Sequence, residues 1–427
     1  MNNQPLIKFN PKLPKLSVNE KAVLKLLVEA GELIAPIYLE QEKILTDGEN
    51  FYPKGSKKDP AISSPYSVIE KVNGKIIATP YHVKYVEFLK PIADKLYEAS
   101  KITENKEFGR FLKLQAKALV DGSYEKPLAA WFKMKPYILD ISIGPFEHND
   151  DRLFFDKAPY QCWVGVVNAE KTKRLAYYKD IVLSARRKAL LPNERFENYK
   201  EVRIKDNEII LFSGHMARTK FVGLNMPVNI DWVEKYGSEV TLFDNVNDLR
   251  IKEQILPSFN NIFAAVFKRQ YSKEDLRIGS INYVVLHELA HNDLYYRNAA
   301  QNLGDLLSPI YELAATVLGF RMAGSLLLKD IITNKQLESM IIAFVCRNFY
   351  LAQKIKEDKS WTNYALAGII FNNFMLESGA IIQSKGLTIP NFMKIFVSIQ
   401  ELFTALEFLL SSGTRKNAEA FIEKYSS

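Results

Sequence analysis

The chain has few cysteines, few histidines and no long uninterrupted apolar run. Its two cysteines, Cys162 and Cys346, cannot build a disulfide framework, and their apolar neighbours indicate buried thiols in a reducing compartment. No apolar run reaches the roughly 18 residues that a membrane helix needs. The N-terminal stretch MNNQPLIKFNPKLPKL also lacks the apolar core of a secretory signal. We therefore expect a cytoplasmic protein that does not bind a membrane.

The chain also lacks a concentrated patch of basic charge. It has 57 Lys and Arg against 49 Asp and Glu, which gives a net charge of +8. The basic residues are scattered and form only short runs such as PKGSKKD and EKTKR. Such a run is usually a solvated surface, whereas nucleic-acid binding needs basic residues clustered on one face. We therefore expect no nucleic-acid partner.

Hydrophobic periodicity separates a mixed first part of the chain from a helical last part. Helical spacing is found at 16–41, with a break before Pro36, and at 81–99, 108–121 and 169–188, whereas 48–65 is typical of a long loop. Short β-branched strands are predicted at 138–144, 161–168 and 239–245, with a hairpin at 201–213 that turns at 205–207.

From about residue 251 onward nearly every segment has helical spacing, with capping-box starts at Ser272 and Thr333. This order of elements predicts an α+β protein that is mostly helical and has two lobes. We place the mixed α/β lobe at 1–168 plus about 201–250, and the helical lobe at about 169–200 plus 251–427.

Two of the five histidines stand four residues apart in VVLHELAHNDLYYRN, a stretch that we predict to be helical from 284 to 298. On a helix, His287 and His291 lie on one face, a turn apart, and can bind one metal ion together. Glu288 lies beside them and can hold the attacking water without binding the metal, which is the HExxH arrangement. Two histidines at this spacing can instead be packing or surface residues, but the glutamate and the apolar neighbours favour a zinc site.

The third ligand of a catalytic zinc site is usually a carboxylate or an imidazole further along the chain. Glu312 in LLSPIYELAATVLGF is the best candidate, and Ser308 and Pro309 before it are typical of an N-cap and a first helical residue. The apolar sequence after Glu312 predicts a buried helix, in which a carboxylate needs a partner such as a metal. The alternative is that Glu312 stabilises the N-terminal end of its helix electrostatically.

Several segments, in the same order, resemble the dipeptidyl-peptidase III family of zinc peptidases. They are LSVNEKAVLKLLVEAGELI, ILDISIGPFEHNDDRLFFDKAPYQCWVGVVN, GLNMPVNIDW, the HELAH and YELAA segments, and WTNYALAGIIFNNFMLESGAI. The resemblance implies a helical zinc-bearing lobe, a mixed lobe with a small β-barrel, and a cleft between them. It also implies one Zn²⁺ per chain and the release of dipeptides from the N-termini of short peptides.

The resemblance also implies roles for residues outside the zinc motif. Glu147 and Asn225 match residues that hold the free amino terminus of the substrate, and a family tyrosine in the same substrate-binding segment falls at Asn149. The family's transition-state histidine falls at Tyr364, whose O–H can donate to an oxyanion, although a packed tyrosine is the alternative. The zinc motif has five residues here instead of the usual six, HExxxH. Of the family's second motif, EExxxE, only Glu312 remains.

Together these residues predict a zinc metallopeptidase in which His287, His291 and Glu312 bind the metal and Glu288 and Tyr364 are catalytic. The expected partner is a short peptide substrate, and we predict a monomer. Two alternatives remain open. One is a zinc aminopeptidase or oligopeptidase of another specificity, and the other is a catalytically impaired homologue that binds peptides without cleaving them. A site of two histidines and one glutamate also accepts other divalent metals.

Overall fold

The structure is a computed structural model that describes residues 4–46, 59–146, 157–186, 201–227, 229–294, 296, 298–356 and 362–426. The chain divides into two compact units. The first comprises Met1–Ala169, Asp206–Phe221 and Pro227–Gly237, and the second comprises Glu170–Lys205, Val222–Met226 and Ser238–Ser427. These units and the lobes drawn from the sequence differ in where they place residue 169 and the ranges 201–205, 222–226 and 238–250. The cleft and barrel implied by the resemblance stay predictions.

The described residues are mostly helical with a mixed set of strands, which confirms the predicted α+β class. The helices are α1 (Val18–Glu32), α2 (Ile34–Thr46), α3 (Pro60–Ser63), α4 (Tyr81–Lys84), α5 (Val86–Ile102), α6 (Lys106–Asp121), α7 (Glu125–Lys133), α8 (Ala169–Arg186), α9 (His215–Thr219), α10 (Ile230–Tyr236), α11 (Asp244–Arg250), α12 (Leu256–Ile262), α13 (Ala265–Lys268), α14 (Lys273–His291), α15 (Ala299–Leu303), α16 (Leu307–Leu327), α17 (Asn334–Lys354), α18 (Thr362–Glu377), α19 (Phe392–Ser412) and α20 (Arg415–Ser426). The strands are β1 (Leu6–Lys8), β2 (Ser67–Val72), β3 (Lys75–Pro80), β4 (Leu139–Pro145), β5 (Tyr160–Val167), β6 (Val202–Gly214), β7 (Gly223–Met226), β8 (Ser238–Leu242), β9 (Ile381–Ser384) and β10 (Leu387–Pro390).

The first unit begins with the predicted broken helix. Ser17 and Glu20 form a capping box that starts α1, and the chain breaks at Leu33 before α2. Pro36 therefore lies in the first turn of α2, where a missing N–H removes no helical hydrogen bond. The predicted loop at 48–65 falls mostly outside the described residues, although its last part forms α3.

A buried antiparallel sheet forms the centre of the first unit. β4 pairs with β5, β5 pairs with the 207–214 part of β6, and β1 pairs with the far edge of β6. Almost every residue of β4 and β5 is buried. The sequence of β5 is a nearly continuous apolar run, whereas β4 alternates apolar residues with Asp140 and Ser142.

The predicted hairpin at 201–213 is wrong, because β6 is a single strand of 13 residues. Asp206 and Asn207, which are typical of a turn in the sequence, are buried inside this strand instead. The Asn207 amide donates a 3.0 Å hydrogen bond to a carboxylate oxygen of Asp140 on β4. This hydrogen bond gives the buried Asn207 amide nitrogen and the buried Asp140 carboxylate a partner within the sheet.

The second unit is built around α14, which packs against α16 and α17, while α18 packs against α16 and α17. Phe320, Phe344 and Phe371 join these helices, with ring centroids 5.0–6.3 Å apart. The unit also contains the strand order β6-β8-β7, in which β7 is the terminal strand. Arg203 and Lys205 of β6 form ion pairs of 2.7 and 2.6 Å with Glu239 of β8.

Two expectations for the last part of the chain need correction. The helix that carries the two histidines ends at His291 and does not continue to 298. The region after 251 also contains the hairpin β9–β10. This hairpin turns through Lys385 and Gly386, both with positive φ, so the sequence Ser-Lys-Gly between two β-branched runs was a hairpin signal.

Two helical stretches among the described residues are long and apolar enough to cross a membrane by length and composition alone. They are Ala299–Leu327, with mean hydropathy 1.2, and Phe392–Ser412, with mean hydropathy 1.4. Of the most apolar 18-residue window of each stretch, 67% in the first and 50% in the second is buried within the protein. Core helices pass the same test, so this finding is weak evidence for a membrane span.

Candidate metal centre

α14 brings the two histidines of the HExxH motif to one buried position. The helix starts at a capping box between Ser272 and Asp275, as predicted, and ends at His291. His287 and His291 are separated by one turn, and their ring centroids lie 4.6 Å apart. Leu289 and Ala290 stand between the two histidines in the sequence and are fully buried, so the helix packs closely against its neighbours.

α16 supplies the third residue of the cluster. Its start differs from the prediction: α16 begins at Leu307, after a 3₁₀ turn at Gly304–Leu306, and Ser308 is not its N-cap. Glu312 therefore lies in the second turn and not at the helix end. Because the favourable interaction with a helix N-terminus falls off within the first turn, the electrostatic-cap alternative for Glu312 is weakened.

Three potential ligand atoms converge at one point. The Nε2 atoms of His287 and His291 lie 3.1 Å apart, and Oε2 of Glu312 lies 3.3 Å from the first and 3.9 Å from the second. Ligands about 2.1 Å from one zinc ion at tetrahedral angles lie roughly 3.4 Å from one another. The observed separations match that spacing, and the three side chains are only 10–13% exposed.

Thr316 is placed to hold His287 in the tautomer that carries its proton on Nδ1. Its hydroxyl donates to the backbone oxygen of Glu312 at 3.2 Å, one turn back in α16. The hydroxyl oxygen therefore accepts from Nδ1 of His287, 2.9 Å away. With its proton on Nδ1, His287 presents a bare Nε2 lone pair to the cluster. An outer hydrogen bond of this kind is what orients a histidine that binds a metal.

The other two groups have charge states that suit a cation. Burial lowers the pKa of His291 to about 4, so its imidazole is neutral at pH 7, as a metal ligand requires. Burial raises the pKa of Glu312, but His287, His291 and Arg347 lower it by more, and the net direction is down. Glu312 is therefore an anion that faces the neutral imidazole of His291.

This donor set fits a divalent metal. Oε2 of Glu312 is buried and has no hydrogen-bond donor among the described residues, and a buried charge without a partner is costly. A bare imidazole nitrogen and a carboxylate oxygen repel each other at 3.3 Å unless a positive charge lies between them. Two imidazoles and one carboxylate are also a ligand set typical of catalytic zinc.

Gly319 determines how closely α16 approaches α14. A Cβ built at this position would lie 2.9 Å from the carbonyl carbon of Leu286 and 3.0 Å from the amide nitrogen of His287. Real Cβ atoms almost never come so close to backbone, so only glycine allows this separation. The backbone of His287 and helix α16 are thus held in direct contact at Gly319, two helical turns after Glu312 along α16.

Glu288 lies on α14 next to the first histidine and is 8% exposed. Strand β7 passes close to it, since a Cβ built at Gly223 would lie 3.2 Å from Cγ of Glu288. Burial lowers the pKa of Arg250 to about 10, and the Tyr283 hydroxyl and the Glu288 carboxylate partly offset this effect. Arg250 donates to the Tyr283 hydroxyl at 3.0 Å and places a positive charge near Glu288.

Tyr364 is half-buried on α18. Its ring lies under the guanidinium of Arg347, whose Cζ is 5.4 Å from the ring centroid. Arg347 in turn is one of the groups that lower the pKa of Glu312. Tyr364 is therefore linked to the three-residue cluster through Arg347, and its catalytic role stays a prediction.

The predicted substrate-binding residues are placed only in part. Asn225 is half-buried on β7, in the strand that passes Glu288, and its buried Oδ1 has no hydrogen-bond partner among the described residues. Glu147 and Asn149 lie outside the described residues, so their roles stay predictions.

Sequence reasoning missed three residues beside the cluster. Thr316 and Tyr311 stand where the carboxylates of the resembled motif would be. Tyr311 donates to the backbone oxygen of His291 at 3.3 Å and packs its ring 4.8 Å from the His291 ring. Thr316 could have been found from its spacing, one helical turn after Glu312. Arg347 could have been found as a lone cation in the apolar run MIIAFVCRNFYL.

No protein-family model matches the sequence. Among curated proteins, the chain is similar to Nudix hydrolase 3 of Arabidopsis thaliana, with 22% identity over 373 residues. The match covers 83% of this chain and 46% of that protein, so the chain spans about half the length of the curated relative. This share and this identity are too low to carry over that protein's named activity.

Two solved structures are similar to the chain over nearly its whole length. Dipeptidyl-peptidase III from Corallococcus sp. strain EGB has a TM-score of 0.81 and 20% identity, and the match covers 98% of this chain and 91% of that one. DPP III from Caldithrix abyssi has a TM-score of 0.80 and 18% identity, with coverages of 96% and 91%. The resemblance found in the sequence is confirmed at the level of the fold: this chain has the fold of dipeptidyl-peptidase III.

Proposed function

We propose that this chain is a zinc-dependent peptidase that acts on short peptides and releases N-terminal dipeptides. The observation that carries the proposal is the convergence of two imidazole nitrogens and one carboxylate oxygen within 3.1–3.9 Å, beside a buried glutamate. The fold, shared with structures named as peptidases, supports the same reaction class.

His287, His291 and Glu312 would hold the metal. When bound, zinc supplies a Lewis acid that activates water at neutral pH and polarises the scissile carbonyl. Glu288 receives the proton of the attacking water and passes it to the leaving amine as the peptide bond breaks. Its burial, and the positive charge of Arg250 nearby, keep this carboxylate out of bulk water and in one place.

Tyr364 is our candidate for the second oxyanion donor. Its hydroxyl is the only group on that side chain that can donate a hydrogen bond to the developing negative charge. The contact with Arg347 holds the ring in a fixed orientation and adds positive charge to the same region. Fixed donors of this kind need no reorganisation when the charge develops.

Strand β7 is our candidate for binding the substrate backbone. It is the terminal strand of β6-β8-β7, so one of its edges has no strand partner among the described residues. An extended peptide can pair with such an edge through main-chain hydrogen bonds. Because the backbone of Gly223 lies beside Glu288, a peptide on β7 would present its bonds to the general base. Asn225 on the same strand, with Glu147, would hold the free amino terminus.

We further propose that the protein works as a monomer in the cytoplasm. Both cysteines are buried and unpaired, and burial raises the pKa of each thiol well above its usual value. Buried neutral thiols are stable in a reducing compartment and form no disulfide framework.

The proposal is tested by measuring metal content and turnover together on the wild type and on Glu288→Gln. The substrate is a dipeptidyl fluorogenic amide with a free amino terminus, and its N-acetylated form is the matched control. We expect one zinc per chain in both proteins, and turnover that falls at least about 10²-fold in the variant. Acetylated and free substrates cut equally well would exclude dipeptide release, and full zinc without turnover in the wild type would favour a peptide-binding protein.

A further inference from the structure

Two segments of the second unit meet in space and share no residue with the metal centre. Segment 256–270 contains α12 and α13, and segment 378–400 contains β9, β10 and the start of α19. Phe263 forms a β-bridge with Thr388, and the rings of Phe267 and Phe392 are stacked with centroids 6.4 Å apart. The two segments therefore form one surface, which we call the hairpin surface.

Five apolar side chains of the hairpin surface are exposed to solvent. They are Val266 (72% exposed), Ile382 (52%), Ile389 (49%), Met393 (76%) and Val397 (60%). Ile382 and Ile389 are direct partners in the hairpin register, so both project from the same face. Met393 and Val397 are one turn apart at the start of α19 and share a helix face. Exposed apolar side chains grouped in this way mark an interaction site.

The hairpin surface is also basic. Its two segments contain Lys268, Arg269, Lys385 and Lys394, and no Asp or Glu. Carboxylates lie only just outside the two segments. Asp275 is held by Lys335 at 2.7 Å and Glu377 by Lys424 at 2.8 Å, and the further flanking carboxylates are Glu253, Glu274 and Glu401. Lys385 stands at the tip of the hairpin, in a left-handed turn that directs the chain outward. The two segments thus combine exposed apolar side chains with four basic and no acidic residues.

The combination of exposed apolar side chains and basic residues limits which kind of partner can bind this surface. A second copy of the chain would bring like charges together, which disfavours a symmetric contact through this surface. The surface of an anionic lipid bilayer offers negative headgroups above an apolar interior, so it suits both features at once. We propose that the hairpin surface binds an anionic lipid bilayer from one side, without spanning it.

This proposal departs from the expectation of no membrane contact, which rested on the lack of a long apolar run. A surface built from two hairpin strands, a short helix and one helix end leaves no such run in the sequence. α19 fits the proposal, because its most apolar window has a mean hydropathy of 1.4 while only half of it is buried within the protein.

The test is co-sedimentation of the full chain with phosphatidylcholine vesicles, with and without phosphatidylserine. One variant removes apolar contacts, Ile382→Ser with Met393→Ser, and another reverses charge, Lys385→Glu with Lys394→Glu. Val18→Ser is the matched control, because Val18 is 83% exposed and lies on α1. Thermal unfolding and cleavage of a soluble peptide check that each variant is folded. If one variant unfolds, vesicle binding by the other variant still tests the proposal.

We expect the wild type and Val18→Ser to bind only the vesicles with phosphatidylserine, and salt to weaken the binding. Each lysine lost should weaken binding about five-fold, so the charge variant should bind at least about twenty-fold more weakly. The absence of binding by the wild type, or binding by the folded variants that equals that of the wild type, would overturn the proposal. Capture of polyglutamate without binding to vesicles would also overturn it, in favour of an acidic protein partner.

Discussion

Replacing Gly319 with alanine tests whether close contact between α14 and α16 builds the metal centre. The new Cβ would lie 2.9 Å from the backbone of Leu286, and α16 must then move away by a few tenths of an ångström. Glu312 is on the same helix, so its distance from the two histidines must change as well. Both the stability of the fold and the affinity for zinc should fall.

The matched control is Gly324→Ala in the same helix, where a Cβ would meet nothing within 4 Å. Alanine in a helix is more stable than glycine by about 1 kcal/mol, so Gly324→Ala should be neutral or stabilising. At Gly319 the same gain is opposed by overpacking, which costs about 1–3 kcal/mol. The two variants should therefore differ by about 1–3 kcal/mol, since the propensity gain is common to both.

Urea unfolding of the metal-free proteins measures this difference, and competition with a chelator measures zinc affinity. We expect Gly319→Ala to bind zinc at least several-fold more weakly than Gly324→Ala. If the two variants were equally stable and bound zinc equally well, the contact would play no part in forming the site.

Three further changes test other parts of the second unit. Thr316→Val removes the acceptor that fixes the histidine tautomer and should weaken zinc binding about 10–100-fold in a chelator competition, whereas Thr316→Ser should bind nearly as well as the wild type. Tyr364→Phe should lower kcat roughly 10²-fold with little change in zinc content, and an unchanged kcat would remove the proposed oxyanion role. Burial raises the pKa of Asp244, but Lys171 and Arg277, at 2.6 and 2.9 Å, lower it by more. The folded pKa then lies below the unfolded value of about 3.9, so the stabilisation is present above that pH and is lost as pH falls through the folded pKa. Asp244→Asn should destabilise the protein in urea at pH 7, and the difference from the wild type should shrink in acid; a difference that is constant with pH would show that charge is not its cause.

Local sequence signals were sufficient for most of the fold. The capping boxes at Ser17, Ser272 and Thr333 start helices where the spacing predicted them. The hairpin predicted around Asp206 and Asn207 failed for a tertiary reason. Inside the strand, Asn207 is held by a hydrogen bond to Asp140, which is more than sixty residues away in sequence. A local pattern carries no information about that partner.

The three converging residues of the metal centre followed from spacing, because helical periodicity alone places the two histidines together and burial makes a lone carboxylate costly. The contacts that surround these three residues could not be predicted from the sequence. Thr316 and Tyr311 act through a tautomer and a ring contact, and Arg347 acts through charge from another helix. These effects depend on how α16 and α17 pack on α14, which the residue types do not reveal.

If the chain holds zinc as proposed, the hydroxyl of Thr316 has a consequence for how the metal is acquired. An outer carboxylate makes a histidine ligand more basic, whereas a neutral hydroxyl orients the ring with little added electron density. We therefore expect this centre to release zinc faster than one with charged outer partners, and to depend on the free metal concentration around it. Activity would then rise and fall with zinc supply, so the metal could limit how much of the protein is working at any moment.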